Sequence, residues 1–466
     1  MLQIYDEEYG QLELWMEFYP RDPFQLPEEL NMMAQILDRI EVLQPFIDQY
    51  QKAAEEAGLA LTGRKTVPLR CFVGIMYLYK NYGLGYRGTM ERIADSFNWR
   101  AFCRIPLSKE VPDYSTISKL ANRYGAKAVD EMNQALLQHL KAEKILKTKQ
   151  VRMDTTVVES NIAYPTDAGI LSQGIKTINR LVSKAKEAGV QAAEDFTTHE
   201  RVVKKKLLAI AKIAKRRTRE AISEINKITK ELTTIAQDTL AMAKRTLQGA
   251  KISFAKGKQT LKRKLIEQLD ETCGLLHKAI EQAKTVVSGN RHIKDRLVSI
   301  YDPDARPISK GKSGQPVQFG RKLLLTSNEQ GFITSHKLYQ GNPNDKTLFK
   351  EGIEGHNRNV GEKAREGSTD RGFYASDNET YAESEKMRLA MPKIGKKNQE
   401  RITYEKQPWF KRLQRSRAGM EAIISIANRR SGLCRPLTRG TSKVECSVGW
   451  SVFAYNLATV PQVSLR

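Results

Sequence analysis

Cysteine and histidine are scarce in this chain, and neither is clustered. The five cysteines (Cys71, Cys103, Cys273, Cys434 and Cys446) contain no Cys-x-x-Cys spacing, which argues against a zinc cluster or a redox pair. Their odd number and wide spacing fit reduced, buried thiols of a cytoplasmic protein. The six histidines form no His-Glu-x-x-His motif. Any metal site would therefore be built from carboxylates, which suit Mg²⁺ or Mn²⁺. No apolar run approaches the roughly 20 residues of a membrane-spanning helix. The acidic start, Met1-Leu2-Gln3-Ile4-Tyr5-Asp6-Glu7-Glu8-Tyr9, lacks a signal-peptide pattern. A cytoplasmic protein without a membrane-spanning segment is expected.

Acidic residues are also in short supply. Against 77 Lys and Arg stand 53 Asp and Glu, a net charge of +24 and a pI near 9.7. Such an excess bears on partners rather than on fold. Nucleic acid is the first candidate, because about 6–10 phosphate contacts supply salt-sensitive affinity through counterion release. An anionic membrane surface is the second. With 466 residues, 40% of them hydrophobic, the chain has room for two or three domains with real cores.

Taken in order, residues 1–65 read as an N-terminal helical segment. Met32, Ile36, Ile40, Leu43 and Ile47 recur at helical spacing and predict one helix over 28–50, started by Pro27. Residues 66–145 read as a compact helical module. One helix carries Leu69, Phe72, Val73 and Met76 and ends at Gly83 and Gly85. A second spans 89–97, and Pro112-Asp113-Tyr114-Ser115-Thr116 opens a third. Two readings stand for this module, a helix-turn-helix DNA reader and a purely structural helical domain. The stretch 150–160 is β-branched and predicts a strand with Asp154 in its middle. Aspartate is depleted in strands, so Asp154 needs a metal or a charge partner, a structural salt bridge included.

Residues 170–295 predict an all-helical, coiled-coil-like insertion. Its stripes are Ile175/Ile178/Val182/Ala185, Ile222/Ile225/Leu232/Ile235 and Leu261/Leu265/Leu269/Leu276/Ile280, with turns near Gly189 and Gly249–Gly257. Lys204-Lys205-Lys206 and the run from Lys212 to Arg219 leave two readings, a solvated face and a track for a phosphate backbone. Strand character returns at Val298–Tyr301 and in a hairpin, 317–326 with 332–338, turning at Asn328–Gly331. Gly311-Lys312-Ser313 lacks the first glycine and the helix of a phosphate loop and reads as a solvated loop. Asp370 precedes a helix for which Ser376 and Glu379 have capping-box spacing. A short strand is predicted at Arg388–Pro392. Ser442–Val460 reads as a closing core element.

A late helix opens with Pro408 and buries Phe410, Leu413, Met420, Ile424 and Ala427. Arg417 and Glu421 lie four apart on one of its faces. Alone they read as an ion pair on a solvated helix. Joined by Asp154 and Asp370, Glu421 completes three carboxylates that would repel one another by roughly 3 kcal/mol per pair at 5 Å and an effective dielectric near 20. Divalent cations relieve such repulsion and serve phosphodiester chemistry.

The stretch from Asp154 to Asp167 (Asp-Thr-Thr-Val-Val-Glu-Ser-Asn-Ile-Ala-Tyr-Pro-Thr-Asp) closely resembles the first catalytic block of bacterial insertion-sequence transposases of the DDE class. Asp370-Arg371-Gly372-Phe373-Tyr374 resembles their second block. Arg417-Ala418-Gly419-Met420-Glu421-Ala422-Ile423-Ile424-Ser425, with Trp450 and Asn456-Leu457 downstream, resembles the third. The module around Pro112–Thr116 is similar to the domain that precedes many of these catalytic domains. The resemblance implies an α/β fold with a ribonuclease H-like mixed sheet flanked by helices, formed by residues 146–169 and 296–466. Asp154 would lie on the first strand, Asp370 after the fourth and Glu421 on a helix. It implies Mg²⁺, with Mn²⁺ an alternative, held by Asp154, Asp370 and Glu421. Arg417 would orient Glu421 or contact a phosphate. The implied activity is cleavage at the ends of a mobile element and strand transfer into target DNA. Implied partners are double-stranded DNA (terminal inverted repeats and target) and a second copy of the chain or a larger assembly, in a nucleoid-associated setting. Two positions depart from the pattern: Gln414 stands where relatives have tyrosine, and Asn428 where they have lysine. Two other readings stay open, a non-catalytic DNA-binding or architectural relative and a nuclease without strand transfer.

Overall fold

The computed structural model describes residues 2–3, 25–56, 67–123, 125–216, 218–254, 260–309 and 317–465. The chain divides into two compact units, Met1–Glu159 with Lys322–Arg466, and Ser160–Arg321. The predicted loop at Gly311–Ser313 lies outside the described residues.

In chain order, the first unit begins with a two-residue parallel pairing of β1 (Leu2–Gln3) with β2 (Val67–Pro68). Its helices are α1 (Glu28–Leu37), α2 (Ile40–Glu56), α3 (Leu69–Tyr82), α4 (Gly85–Ala94), α5 (Phe97–Phe102), α6 (Tyr114–Arg123) and α7 (Gly125–Ala142). The single helix expected over 28–50 is two. The break falls at Asp38, whose carboxylate is held by Arg70, at 2.7 Å, and by Arg104. The helix expected over 89–97 instead occupies 85–94, because Ser96 caps α5 by accepting from the Trp99 N–H. The start signal at 112–116 holds: the Asp113 side chain accepts from the Ser115 N–H at 2.9 Å and α6 follows.

β3 (Gln150–Glu159) is the strand predicted around Asp154. The second unit then supplies α8 (Asp167–Glu187), α9 (Glu200–Ile213), α10 (Arg219–Phe254), α11 (Thr260–Val287), β4 (Arg306–Ser309) and the first residues of β5 (Val317–Ser327). The first unit resumes with the rest of β5, β6 (Ile333–Tyr339), α12 (Phe349–Val360), β7 (Glu366–Ser368), α13 (Ser376–Ser384), β8 (Arg388–Ala390), α14 (Gln399–Lys406), α15 (Pro408–Ser431) and α16 (Thr441–Ser464).

The sheet is mixed. β5 neighbours β3, and β3 pairs in parallel with β7, which pairs in parallel with β8. β6 runs antiparallel to β5. Period-two alternation along a strand sends neighbouring side chains to opposite faces. Val151 and Met153 pack with Phe349, Ile353 and Phe373 under α12. On the other face Leu323, Leu325 and Ile333 meet Met420, Ile423 and Ala427 of α15. α16 joins the sheet to the N-terminal helices. Trp450 stacks edge-on against Phe72 and Phe453, with centroids 5.7 and 6.0 Å apart, and lies 6.4 Å from Phe46. Each such pair adds about 0.5–1.5 kcal/mol beyond its buried area. Asn456 of the same helix, fully buried, accepts from the Ile333 N–H and donates to its carbonyl, clamping β6.

The second unit is a packed set of helices. Leu232, Ala236, Leu240, Ala243 and Leu247 of α10 face Ile175, Ile178 and Val182 of α8 and Leu269, Leu276 and Ile280 of α11. Ile222, expected in the α10 stripe, is 43% exposed; from Leu232 on, leucines alternate with small residues that permit close helix contact. The turn expected near Gly249–Gly257 falls in part outside the described residues; α10 runs through Gly249 to Phe254 and α11 starts at Thr260. A Cβ at Gly249 would sit 2.5 Å from Ala192 Cβ, so this glycine serves a close approach rather than a turn. Val298–Tyr301 is not a strand. Its backbone is satisfied by side chains: Ile300 N–H donates to Gln173, and Tyr301 N–H to Ser299. Nearby, Arg321 and Asp302 form a fully buried pair through two contacts of 3.0 and 2.7 Å. Among the described residues no helix is long and apolar enough to cross a membrane.

Candidate functional site

Three pieces of the first unit meet at the sheet face covered by α15. On β3, Arg152 and Asp154 alternate with Val151 and Met153, so they share the α15 side. Arg152 is buried and donates to Ser416 O of α15 and to Asn328 O of the β5–β6 turn. Gly419 makes room for it, since a Cβ there would lie 2.5 Å from Arg152 Nη1. This fixes α15 across β3 and brings Arg417 over Asp154. Arg417 Nη1 lies 3.7 Å from Asp154 Oδ2, and Arg417 Nη2 lies 3.9 Å from Glu421 Oε1. Arg417 Nε is buried without a hydrogen-bond partner.

Asp370 follows β7 and caps a 3₁₀ turn, Arg371–Phe373, by accepting from the Gly372 N–H at 2.9 Å. The capping box expected next to it does not form. Ala375 is the residue before α13, and Glu379 instead pairs with Arg401 at 2.6 Å.

The electrostatics show that these acids sense one another. Burial raises the Asp154 carboxyl to about 6. The Asp370 charge pushes the same way, while the Thr155 N–H and Arg417 oppose it. Burial also raises Asp370; Gly372 N–H opposes this, Asp345 adds to it, and Arg417 again opposes. Both carboxylates are thus short of positive charge, with Arg417 as a cation common to them. Glu421 acts on Asp154 from a distance, its own side chain being 71% exposed.

Asp345, which the sequence reading did not single out, belongs to this group. It accepts from Thr155 Oγ1 at 3.1 Å and from Lys322 Nζ at 2.6 Å. A signal was present: it follows β6 in the turn-rich run Gly341-Asn342-Pro343-Asn344, the same strand-then-turn setting as Asp370. The two departures from the family pattern have structural work. Gln414 donates to Thr369 O at 3.0 Å and Ala390 O at 2.6 Å, tying α15 to the ends of β7 and β8. Asn428 accepts from the Cys434 N–H at 3.2 Å and holds the chain beyond α15. Arg429 and Arg430, next to it, line a cavity of about 430 Å³ with Tyr455, Thr459 and Gln462.

The donor set suits a hard divalent cation: carboxylate oxygens, two of them on half-buried acids whose charge is under-compensated. Among the described residues, however, no three Asp, Glu, His or Cys side chains are grouped closely enough to hold a metal. Asp154 and Asp370 are near neighbours, and Glu421 is linked to them through Arg417.

Comparison with known proteins bears on the N-terminal helices. Residues 21–123 match the family described as "Transposase domain (DUF772)". The chain is also 29% identical over 145 residues to the "Uncharacterized protein ORF8 in nfe locus" of Rhizobium meliloti. That match covers 29% of this chain and 66% of the relative. No solved structure shows significant similarity to the chain. The first match, over residues 21–123, agrees with the insertion-sequence transposase family that the motifs resemble.

Proposed function

From a chain that carries a transposase-family domain, we propose a DDE transposase that cuts DNA at the ends of an insertion sequence and joins the freed ends to target DNA. The observation that supports this reading most is the place of Arg417, which lies near both Asp154 and Glu421 and whose charge also acts on Asp370. These residues lie far apart in sequence and in the order of the three resembling blocks.

In this reading Asp154 and Asp370 would hold Mg²⁺, or Mn²⁺ in its place, and Glu421, linked to them through Arg417, would complete the set. Such cations would supply Lewis-acid stabilisation of charge on the oxygens around phosphorus. The protein's own part is positional. β3 presents Asp154 from a rigid strand, and the Gly372 N–H fixes the Asp370 carboxylate. Arg417 favours the ionised form of both acids against the burial that raises them. The substrate is the phosphodiester backbone of duplex DNA, to which a chain of net charge +24 is drawn by counterion release. Two copies of the chain, each on one element end, would pair the ends.

The test is Mg²⁺-dependent cleavage of duplexes carrying the inverted repeats that flank the coding sequence, followed by detection of joined products. Asp154→Asn is expected to abolish both cleavage and joining. Cleavage unchanged in that variant would overturn the site assignment. Cleavage without joined products would leave a nuclease. That no three-carboxylate grouping forms among the described residues favours one second reading, a non-catalytic DNA-binding relative, for which salt-sensitive binding without any cleavage is the expected result.

A further inference from the structure

The second unit carries a charge imbalance that its own fold does not use. Ser160–Arg321 holds 32 of the 77 Lys and Arg but only 16 of the 53 Asp and Glu, so +16 of the net +24 lies in this part of the chain. Many of its cations are paired within the helical packing: Lys206 with Glu231, Arg216 with Glu224, Lys251 with Asp270, Lys278 with Asp295.

One face differs. α8 is buried on most of its surface, and between Ile175 and Ala185 its exposed positions are Lys176, Arg180, Ser183 and Lys184. The three cations recur every four residues and so form one row, with about 6 Å of rise between neighbours. None of the three has a hydrogen bond or ion pair through its side chain among the described residues. Like charges at this spacing destabilise a helix by several tenths of a kcal/mol per pair. The row therefore works against the helix that carries it. On the adjoining α9, Lys204, Lys205 and Lys212 are exposed and also without a carboxylate partner among the described residues. Lys204 and Lys176 border the same small depression, so the two sets adjoin; Glu200 borders it too, without pairing with either.

We infer that this α8–α9 face of the helical insertion is a docking surface for the phosphate backbone of duplex DNA, independent of the carboxylate site in the other unit. Charge complementarity selects the occupant. A row of unpaired ammonium and guanidinium groups on a rigid helix gains from polyanion phosphates what it loses to self-repulsion. A lipid surface would need a continuous apolar face beside the cations. The exposed apolar side chains of α9, Val202 and Leu208, are six residues apart and do not share one face. The choice of DNA over other polyphosphates rests on the proposed function.

The test uses the full chain and a random-sequence DNA duplex without divalent metal, with binding followed by fluorescence anisotropy across a salt series. Each lost phosphate contact lowers the slope of log K against log salt by about 0.9. Lys176→Gln/Arg180→Gln/Lys184→Gln should reduce the slope by roughly 2 to 3 and weaken binding at least tenfold at about 100 mM salt. Lys204→Gln/Lys205→Gln/Lys212→Gln should act in the same direction. Lys278→Gln/Lys284→Gln, which removes ion-paired cations of the same unit, should leave the slope nearly unchanged; circular dichroism checks that all three variants fold. An unchanged slope in the α8 variant, or an equal loss in the control, overturns the inference. So does loss of binding to phosphatidylserine vesicles with DNA binding intact, or a preference for duplex RNA that the α8 variant abolishes while DNA binding stays. A chain that shows the slope loss but never cleaves keeps the docking surface and loses the proposed function. A chain that cleaves without the slope loss does the reverse.

Discussion

Arg417 stands between two acids that come from opposite ends of the chain's first unit, 3.7 Å from Asp154 on β3 and 3.9 Å from Glu421 one turn along its own helix. It lowers the pKa of Asp154 and of Asp370 against the burial that raises both. Removing its charge in Arg417→Gln should push both carboxyls further up in the metal-free chain, Asp154 above its value of about 6. Arg417→Lys should restore most of the difference. Carboxyl ¹³C titration by NMR reads this directly, and an Asp154 midpoint unmoved in Arg417→Gln would refute the electrostatic role given to Arg417.

Gly419 is the second point at which α15 depends on β3. Replacing a helical glycine by alanine ordinarily stabilises by about 1 kcal/mol. Here the new Cβ would lie 2.5 Å from Arg152 Nη1 and displace a buried guanidinium from the Ser416 and Asn328 carbonyls. Hydrogen bonds to a charged group are worth about 1.5–3 kcal/mol each, so the loss outweighs the propensity gain. Gly419→Ala should therefore destabilise the chain by about 1–3 kcal/mol in urea unfolding. A gain in stability would show that Arg152 is not held as described.

Lys80 is buried, with Ser447 Oγ 2.7 Å from its ammonium and no carboxylate paired with it among the described residues. Burial lowers its pKa from 10.5 to about 8. Between about pH 8 and 10.5 the unfolded chain binds the proton more readily than the folded one, so this group's contribution to stability rises with pH across that window. Below about pH 8 the cost of burying the charge is present in full. Lys80→Met should raise stability at pH 7 by up to about 3 kcal/mol, with the advantage shrinking toward pH 10.5. Paired denaturant melts of the two chains across that range test the sign; an advantage that grows with pH would contradict it.

In the second unit, Asp302 and Arg321 are 0% and 1% exposed and bonded to each other twice. Asp302→Asn removes the closer carboxylate and leaves Asp304 at 3.7 Å from the guanidinium. Loss of one member of such a buried pair costs about 3–5 kcal/mol. The double change Asp302→Leu/Arg321→Met should recover much of that. Thermal unfolding followed at 222 nm distinguishes the two, and equal stability of the single variant and the parent chain would be the contrary result.

Much of the architecture is legible wherever a short-range pattern decides it. The β-branched run around Asp154, the Asn328–Gly331 hairpin turn and the apolar stripe of α15 each produce the expected element. The Asn328 side chain alone accepts from the N–H groups of Gln330, Gly331 and Phe332, so the turn is written locally. The misreadings occur where a distant partner decides. Helix 28–50 breaks at Asp38 because Arg70 of α3 and Arg104, just beyond α5, hold it. Ser376 does not cap because Glu379 is taken by Arg401.

By itself the sequence determined the charge excess, the scarcity of metal-binding thiols and imidazoles, and the order of the blocks carrying Asp154, Asp370, Arg417 and Glu421. These depend on residue type and spacing, which need no fold. Only the tertiary structure decided that Arg417 bridges Asp154 and Glu421, that Asp345 and Lys322 join them, and that Gln414 and Asn428 serve the backbone around α15. It also decided which cations of the helical insertion are neutralised and which are left in a row. Carboxylate repulsion and ion pairing act over a few ångströms, and residues hundreds of positions apart come within that range only when β3, β7 and α15 pack on one another.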